Sequence, residues 1–357
     1  VSKGLLSPRL FRRGLCALAL ASFFAGMFSA CGRADFETGA ALYRKGRTAE
    51  AVAVLGKALL DYSMKERFSA PFPRRAEGFL YHPRKNRIRA VFPEEFTIKD
   101  VSNFDCAAYG AAQERLALGR EGRIAVYTDG GRELAARECL SGPGAMVRGL
   151  GWADDDLLHH CNGRLYRCSA DLEGCTPLAE SESFPPPFSG GRYTVRLCSR
   201  GGLLVLVVGA AGQYNLSAVD LARGAVVFKN KQAASSKLLL HDKHIYYISG
   251  GSGAWSLCRL SWDGRERREI AAFPSLVEIE IFPEGVVFED KKGVCIKEYS
   301  AKIMRLPFSY ALHGGIGGYG LIEHRGALHV IEARRFFRGI ERLRAMLPEL
   351  FERRAED

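Results

Sequence analysis

The sequence predicts a mainly β protein built from a repeating four-stranded unit, and three observations carry that expectation. From about Phe68 onward, short apolar runs rich in Val, Ile, Leu, Tyr and Phe alternate with Gly, Asp and Asn, the pattern of strands and tight turns. Seven strand-turn-strand units turn near Lys85, Glu121, Gly163, Ala211, Gly250, Lys291 and Arg325, at separations of 36, 42, 48, 39, 41 and 34 residues. After the third strand of several units, Asp stands shortly before Gly and another strand follows. A period of about 40 residues suits one four-stranded blade, whereas a β-sandwich gives turn signals every roughly 8–12 residues and no longer period. The expected fold is a β-propeller of about seven four-stranded blades, six being the alternative, with an N-terminal helical hairpin and a C-terminal amphipathic helix.

The chain opens with a targeting segment. Lys3, Arg9, Arg12 and Arg13 precede an apolar run from Gly14 to Ala30, and the run ends at Phe28-Ser29-Ala30-Cys31. A cationic start, a hydrophobic stretch too short to span comfortably, and small residues before a cut are the layout of a secretory signal. With cysteine directly after Ser-Ala, the segment resembles a bacterial lipoprotein signal. That resemblance implies loss of residues 1–30 and acylation of Cys31. It places the protein on the cell membrane or outer membrane, lipid-anchored, facing the periplasm or the surface. Phe28 stands where that family usually has Leu; an uncleaved anchor helix and simple secretion are the alternatives.

Net charge is +11, and four of those charges belong to the leader. The basic patches are Arg74 with Arg75, the run Arg84-Lys85-Asn86-Arg87-Ile88-Arg89, and the stretch from Arg334 to Arg354. Such patches suit nucleic acid, anionic lipid or an acidic protein, and export disfavours nucleic acid. Solvated surface charge is the plain alternative. Of the ten cysteines, Cys16 leaves with the leader and Cys31 takes the lipid. The rest are Cys106, Cys139, Cys161, Cys168, Cys175, Cys198, Cys258 and Cys295, with no CxxC pair to suggest a zinc ribbon. An oxidising compartment permits disulfides. Cys168 and Cys175, flanking Ala170-Asp171-Leu172-Glu173-Gly174, are the candidate pair if their strands face each other. A buried free thiol is the simpler account of a cysteine in a strand.

Two short helices are expected at Gly39 to Arg47 and Ala51 to Leu59, where apolar residues recur at three and four and Gly46 gives the break. The pair resembles one tetratricopeptide repeat. Gly39 falls on its small first-helix position, Gly46 on its turn glycine, Ala51 and Ala58 on its second-helix alanines, and Leu55 on the large position between them. Ser63 replaces the usual closing proline. A single hairpin cannot bury its own apolar face, so it is expected to lean on the next domain, a partner being the alternative. The domains read as leader 1–30, hairpin 31–66, propeller 67–333 and terminal helix 334–357.

The clearest strand pair is Asp156 to Cys161 and Arg164 to Cys168 around Asn162-Gly163, since both turn residues accept positive φ. Thr128-Asp129-Gly130-Gly131, Ala170-Asp171-Leu172-Glu173-Gly174 and Ser261-Trp262-Asp263-Gly264 repeat the Asp-before-Gly turn. There Asp bonds backbone donors and Gly takes φ > 0. Leu257 to Ile270 resembles the WD40-like repeat of TolB-type periplasmic propellers. Ala218 to Phe228 resembles the quinoprotein-type repeat, with Arg223 for its Thr and Phe228 for its Trp. These resemblances imply propeller architecture and say almost nothing of ligand.

No constellation of catalytic residues stands out. His159-His160-Cys161 lies on one strand, where neighbours point to opposite faces and cannot grip one metal. His241 and His244 flank a turn and make a weak metal site. The glycines from Gly314 to Gly320 precede a strand rather than opening a helix, which disfavours a dinucleotide. Asp154-Asp155-Asp156 lacks the spacing of a calcium loop. No GxSxG motif occurs, and about twenty residues after the last strand leave no room for the hydrolase domain that some TolB-like propellers gate. From Phe336 to Phe351 apolar residues recur at helical spacing among arginines, with a bend at Pro348. The expectation is a non-catalytic envelope scaffold that binds protein partners, serves envelope protein assembly and needs no cofactor. The competing expectation is a propeller enzyme or a glycan-binding protein using the central channel.

Overall fold

A computed structural model describes residues 35–69, 74–76, 79–82, 87–90, 97–98, 106–110, 115–120, 122–128, 132–139, 146–161, 163–178, 193–210, 213–251, 254–316 and 318–352. The leader with Cys31, the turn positions Lys85, Glu121 and Ala211, the turn Asp129-Gly130-Gly131, and Arg353 and Arg354 lie outside the described residues. The chain begins with helix α1, over residues 35–44, and α2, Thr48–Ser63. β1, Met64–Ser69, follows α2 without a break.

Seven four-stranded antiparallel sheets make the blades of a β-propeller. Blade one is β2 (Arg74–Ala76), β3 (Phe79–His82), β4 (Arg87–Ala90) and β5 (Thr97–Ile98). Blade two is β6 (Cys106–Gly110), β7 (Arg115–Arg120), β8 (Arg123–Thr128) and β9 (Glu133–Glu138). Blade three is β10 (Val147–Ala153), β11 (Asp156–Cys161), β12 (Arg164–Cys168) and β13 (Thr176–Pro177). Blade four is β14 (Thr194–Arg200), β15 (Leu203–Ala210), β16 (Gln213–Asp220) and β17 (Ala225–Ala233). Blade five is β18 (Leu238–His241), β19 (His244–Gly251), β20 (Ala254–Ser261) and β21 (Arg267–Phe273). Blade six is β22 (Glu278–Phe282), β23 (Gly285–Asp290), β24 (Gly293–Glu298) and β25 (Met304–Arg305). Blade seven is β26 (Ala311–Ile316), β27 (Tyr319–His324) and β28 (Ala327–Glu332), completed by β1 from the start of the chain. Gly163, Gly250, Lys291 and Arg325 fall where the second strand of their blade meets the third.

Blades stack face to face, so their middle strands are buried on both sides and read as nearly unbroken apolar runs. On β15, Leu204, Leu206 and Val208 pack with blade three, while Leu203, Val205 and Val207 pack with blade five. On β19, Ile245 and Tyr247 face blade four, while Tyr246 and Ile248 face blade six. Alternate side chains of one strand thus serve two different seams, as strand geometry requires. The Asp turn of blade five forms as the sequence implies. Asp263 accepts from the Arg265 amide at 3.1 Å, Ser261 Oγ accepts from the Glu266 amide at 2.9 Å, and Gly264 has φ +73°. At the matching turn in blade three, Leu172 rather than a glycine takes the left-handed conformation, φ +64°.

Candidate functional site

Helix α3, Ala333–Met346, follows β28 directly, and the short α4, Pro348–Glu352, follows α3. The strands that close the ring, β1 and β28, are therefore each fused to a helix, and the two helices pack together beside the closure. Their shared core holds Phe36 of α1, Leu55 and Leu59 of α2, and Phe336, Phe337, Ile340 and Leu343 of α3. Phe282, Val287 and Ile296 of blade six and Ile322 and Ile331 of blade seven belong to the same cluster. Small residues set the approach of the helices. A Cβ at Gly39 would meet Leu55 Cδ2 at 2.5 Å, and one at Gly339 would meet Leu59 Cδ1 at 2.5 Å. Tyr310, ahead of blade seven, donates its hydroxyl to the Gly56 carbonyl in mid-α2 at 2.6 Å, and burial pushes its phenol well above the ordinary range.

The outward face of α3 carries arginines. Arg342 lies over the Phe36 ring at 5.4 Å, Arg335 pairs with Glu332 at 3.2 Å, and Arg344 stands 3.9 Å from Glu298. Arg334 and Arg338 have no ion-pair partner among the described residues. They line a cavity of about 410 Å³ with Phe337, Glu341, Glu284, Glu298 and Tyr299. Its floor is stiffened from below, because Lys297 donates to the carbonyls of Glu298 (2.9 Å) and Tyr299 (3.4 Å) and to that of Ala301. Burial lowers the Lys297 ammonium, partly opposed by Glu298.

Beside the first strands of blades four, five and six, three charged contacts join neighbouring blades. Lys237 lies 2.7 Å from Glu280 and 3.4 Å from Glu278, tying blade five to blade six. Arg200 of blade four donates to the Leu240 carbonyl of blade five at 2.9 Å. The histidines do not converge. His159 stacks on Tyr166 and lies 3.5 Å from Cys168 Sγ, whereas His160 faces Tyr193 from the opposite side of β11. His241 and His244 are register partners at the β18–β19 turn, with His241 3.2 Å from Asp242. No group of three or more His, Cys, Asp or Glu side chains is placed to hold a metal among the described residues. Asp154 and Asp155 form the β10–β11 turn, and the glycines near 314–320 fall in the β26–β27 hairpin.

Five cysteines gather at the seam between blades two and three: Cys106, Cys139, Cys161, Cys168 and Cys175. The sulfurs of Cys168 and Cys175 lie at bonding distance, and so do those of Cys139 and Cys161, which link blade two to blade three. The second pair escaped the sequence reading, since residues 22 apart on different blades carry no local signal. Cys106, Cys198, Cys258 and Cys295 take part in no disulfide among the described residues, and the Cys106 thiol donates to the Val147 carbonyl at 3.6 Å. Burial pushes the Cys295 thiol up to about 11, the behaviour of an inert core thiol. Arg137 of β9 crosses the same seam and donates to the carbonyls of Leu172 (2.8 Å) and Glu173 (3.0 Å).

No protein-family model matches the chain, and no curated protein matches it. Among solved structures it is similar to BamB from Moraxella catarrhalis, at 12% identity and a TM-score of 0.43, covering 76% of this chain and 99% of that one. It is also similar to a propeller of Dos1, at 11% identity and a TM-score of 0.44 over 76% of this chain and 94% of that one. A third similar structure is a chain of a nidogen/laminin complex, at 11% identity and a TM-score of 0.42 over 67% and 92% of the two chains. Likeness this low carries no argument about partner or ligand, and the propeller stands on its own seven sheets.

Proposed function

We propose that this chain is a non-catalytic lipoprotein of the cell envelope, held to the membrane through acylated Cys31, and a scaffold for protein partners in envelope protein assembly. The observation that carries the reading is the helical layer grafted onto the ring closure. Its apolar face is consumed by the propeller, and it presents Arg334 and Arg338 beside a cavity, with no ion-pair partner among the described residues. Lys237, by contrast, is already paired with Glu278 and Glu280. No helix among the described residues is long and apolar enough to cross a membrane; the lipid attachment is proposed from the Ser29-Ala30-Cys31 signal alone. We further propose that Cys168–Cys175 and Cys139–Cys161 are disulfides, as an oxidising compartment permits.

The test is crosslinking in intact envelopes followed by pull-down. Arg334→Glu with Arg338→Glu should deplete the crosslinked partner while leaving the unfolding midpoint within about 0.5 kcal/mol of wild type, as surface changes usually do. Unchanged crosslinks would remove the docking role from α3. Metabolic labelling with a fatty-acid analogue should mark the wild type and spare Cys31→Ser; equal labelling of both would refute the anchor.

A further inference from the structure

We propose that Cys168–Cys175 is a reducible latch on the outer edge of blade three, opened by an envelope dithiol. The proposal rests on the disulfide pairing argued above. Three observations support it. First, the two sulfurs differ in access: Cys168 is buried completely, whereas Cys175 is partly exposed on the turn that follows β12. In the other pair, Cys139 and Cys161 are both buried. An attacking thiolate therefore reaches Cys175 Sγ before any other paired sulfur at this seam.

Second, the leaving sulfur has a hydrogen-bonding neighbour. His159 Nδ1 lies 3.5 Å from Cys168 Sγ, with the imidazole fixed by stacking on Tyr166 at 4.8 Å. Burial, with His160 and Arg137 nearby, holds His159 at about 4, so the ring is neutral, and it donates to that sulfur when its proton sits on Nδ1. Third, the strand behind the latch is weakly held. β13 has two residues against nine in β17, pairs with β12 through Tyr166–Pro177 and Arg167–Thr176, gains one more bond just past its end from the Leu178 amide to the Leu165 carbonyl at 3.1 Å, and includes a proline without an N–H. The disulfide and the Arg137 hold on Leu172 and Glu173 supply what the ladder lacks.

The exchange balances as follows. A thiolate of the dithiol attacks Cys175 Sγ and forms a mixed disulfide as the Cys168–Cys175 bond breaks. The electron pair leaves on Cys168 Sγ, hydrogen-bonded by His159, and that sulfur takes up a proton. The second thiol of the reductant then displaces Cys175, which leaves as a thiol, and the reductant departs as a disulfide. Two electrons and two protons have moved to the cysteine pair. With the turn 169–175 released, β13 can leave β12. The exposed edge of β12 is then open to an added strand from a protein partner.

The experiment uses the full chain. Mass mapping of the unreduced protein decides the pairing first: free Cys168 and Cys175 thiols would end both the pairing and the latch. Dithiothreitol is then titrated, with alkylation and mass mapping at each step. Cys168 and Cys175 should be alkylated at about tenfold lower dithiothreitol than Cys139 and Cys161, and proteolysis between 169 and 178 should rise while the propeller stays folded. His159→Phe, or His159→Asn should the first fail to fold, should slow the first reduction several-fold without changing its access. Reduction of both pairs together, only on global unfolding, would overturn the latch, as would equal reduction rates in wild type and a folded His159 variant.

Discussion

A missing side chain decides how α2 and α3 meet. At Gly339 an added Cβ would stand 2.5 Å from Leu59 Cδ1 and 3.2 Å from Tyr62 Cδ1, against the buried cluster that Leu59 belongs to. Gly339→Val should therefore cost about 1–3 kcal/mol by denaturant midpoint, the usual penalty of overpacking. Gly318→Ala, which meets nothing within 4 Å, should cost under about 1 kcal/mol. Equal losses at both positions would show that the helices do not pack this closely. His159 gives a second residue-level expectation. Its pKa falls from 6.5 in the unfolded chain to about 4 in the fold, because burial first, and His160 and Arg137 next, oppose the charge. The stability it contributes is complete above pH 6.5, is lost as pH falls toward 4, and levels off below; the whole is about 3 kcal/mol. His159→Phe should flatten that part of the pH–stability curve, and a variant as steep as wild type would assign the slope to other groups. Both histidines were legible as facing opposite ways, since that follows from strand alternation alone. Their neighbours were not, because Cys168 and Tyr193 reach them through pairing and blade stacking.

At the scale of elements, local chemistry was legible and distant pairing was not. The hairpin reads from its 3.6 period and Gly46, whose φ of +76° ends α1, although α2 runs four residues beyond Leu59 to Ser63. Those extra residues are held by one local bond and one contact between helices: Ser63 Oγ donates to the Leu59 carbonyl a turn back at 2.8 Å, and Tyr62 packs edge-on against Phe36 of α1 at 5.9 Å. The bend anticipated at Pro348 is where α3 gives way to α4. The amphipathic reading of the terminal stretch leads to a quantitative expectation. Phe336, Phe337, Ile340, Leu343, Leu347, Leu350 and Phe351 are all buried in the cluster shared with blades six and seven. Each large side chain contributes about 1.5–3 kcal/mol before conformational entropy is set against it. Removing residues 336–357 should lower the unfolding midpoint of the propeller itself, by clearly more than Gly339→Val does. A midpoint that holds while envelope crosslinks vanish would make α3 a docking element and nothing more.

For the whole molecule, the period of about 40 residues was readable because each blade repeats the same local sequence of strand, tight turn and strand. Ring closure was not readable. Met64–Ser69 is a six-residue strand whose partner, Ala327–Glu332, lies at the far end of the chain. Nothing within its own sequence distinguishes it from the strand that would open blade one. The closure also couples more than two strands, because α2 runs straight into β1 and β28 runs straight into α3. Pulling β1 from β28 therefore pulls α2 from α3 and opens the cluster that joins both helices to blades six and seven. β1 is the outer strand of its sheet, and successive N–H groups along it point alternately toward β28 and away, so prolines at both Arg67 and Phe68 remove one N–H from that ladder and should destabilise the closure. Native-state hydrogen exchange of Arg67→Pro with Phe68→Pro should show α2, α3 and β26–β28 losing protection together, at one denaturant concentration. The middle strands of blade four, buried between two intact seams, should retain theirs. Helices that lose protection well before β26–β28 would instead be a separate module resting on an independently closed ring, and the coupling argued from the chain's connectivity would fail.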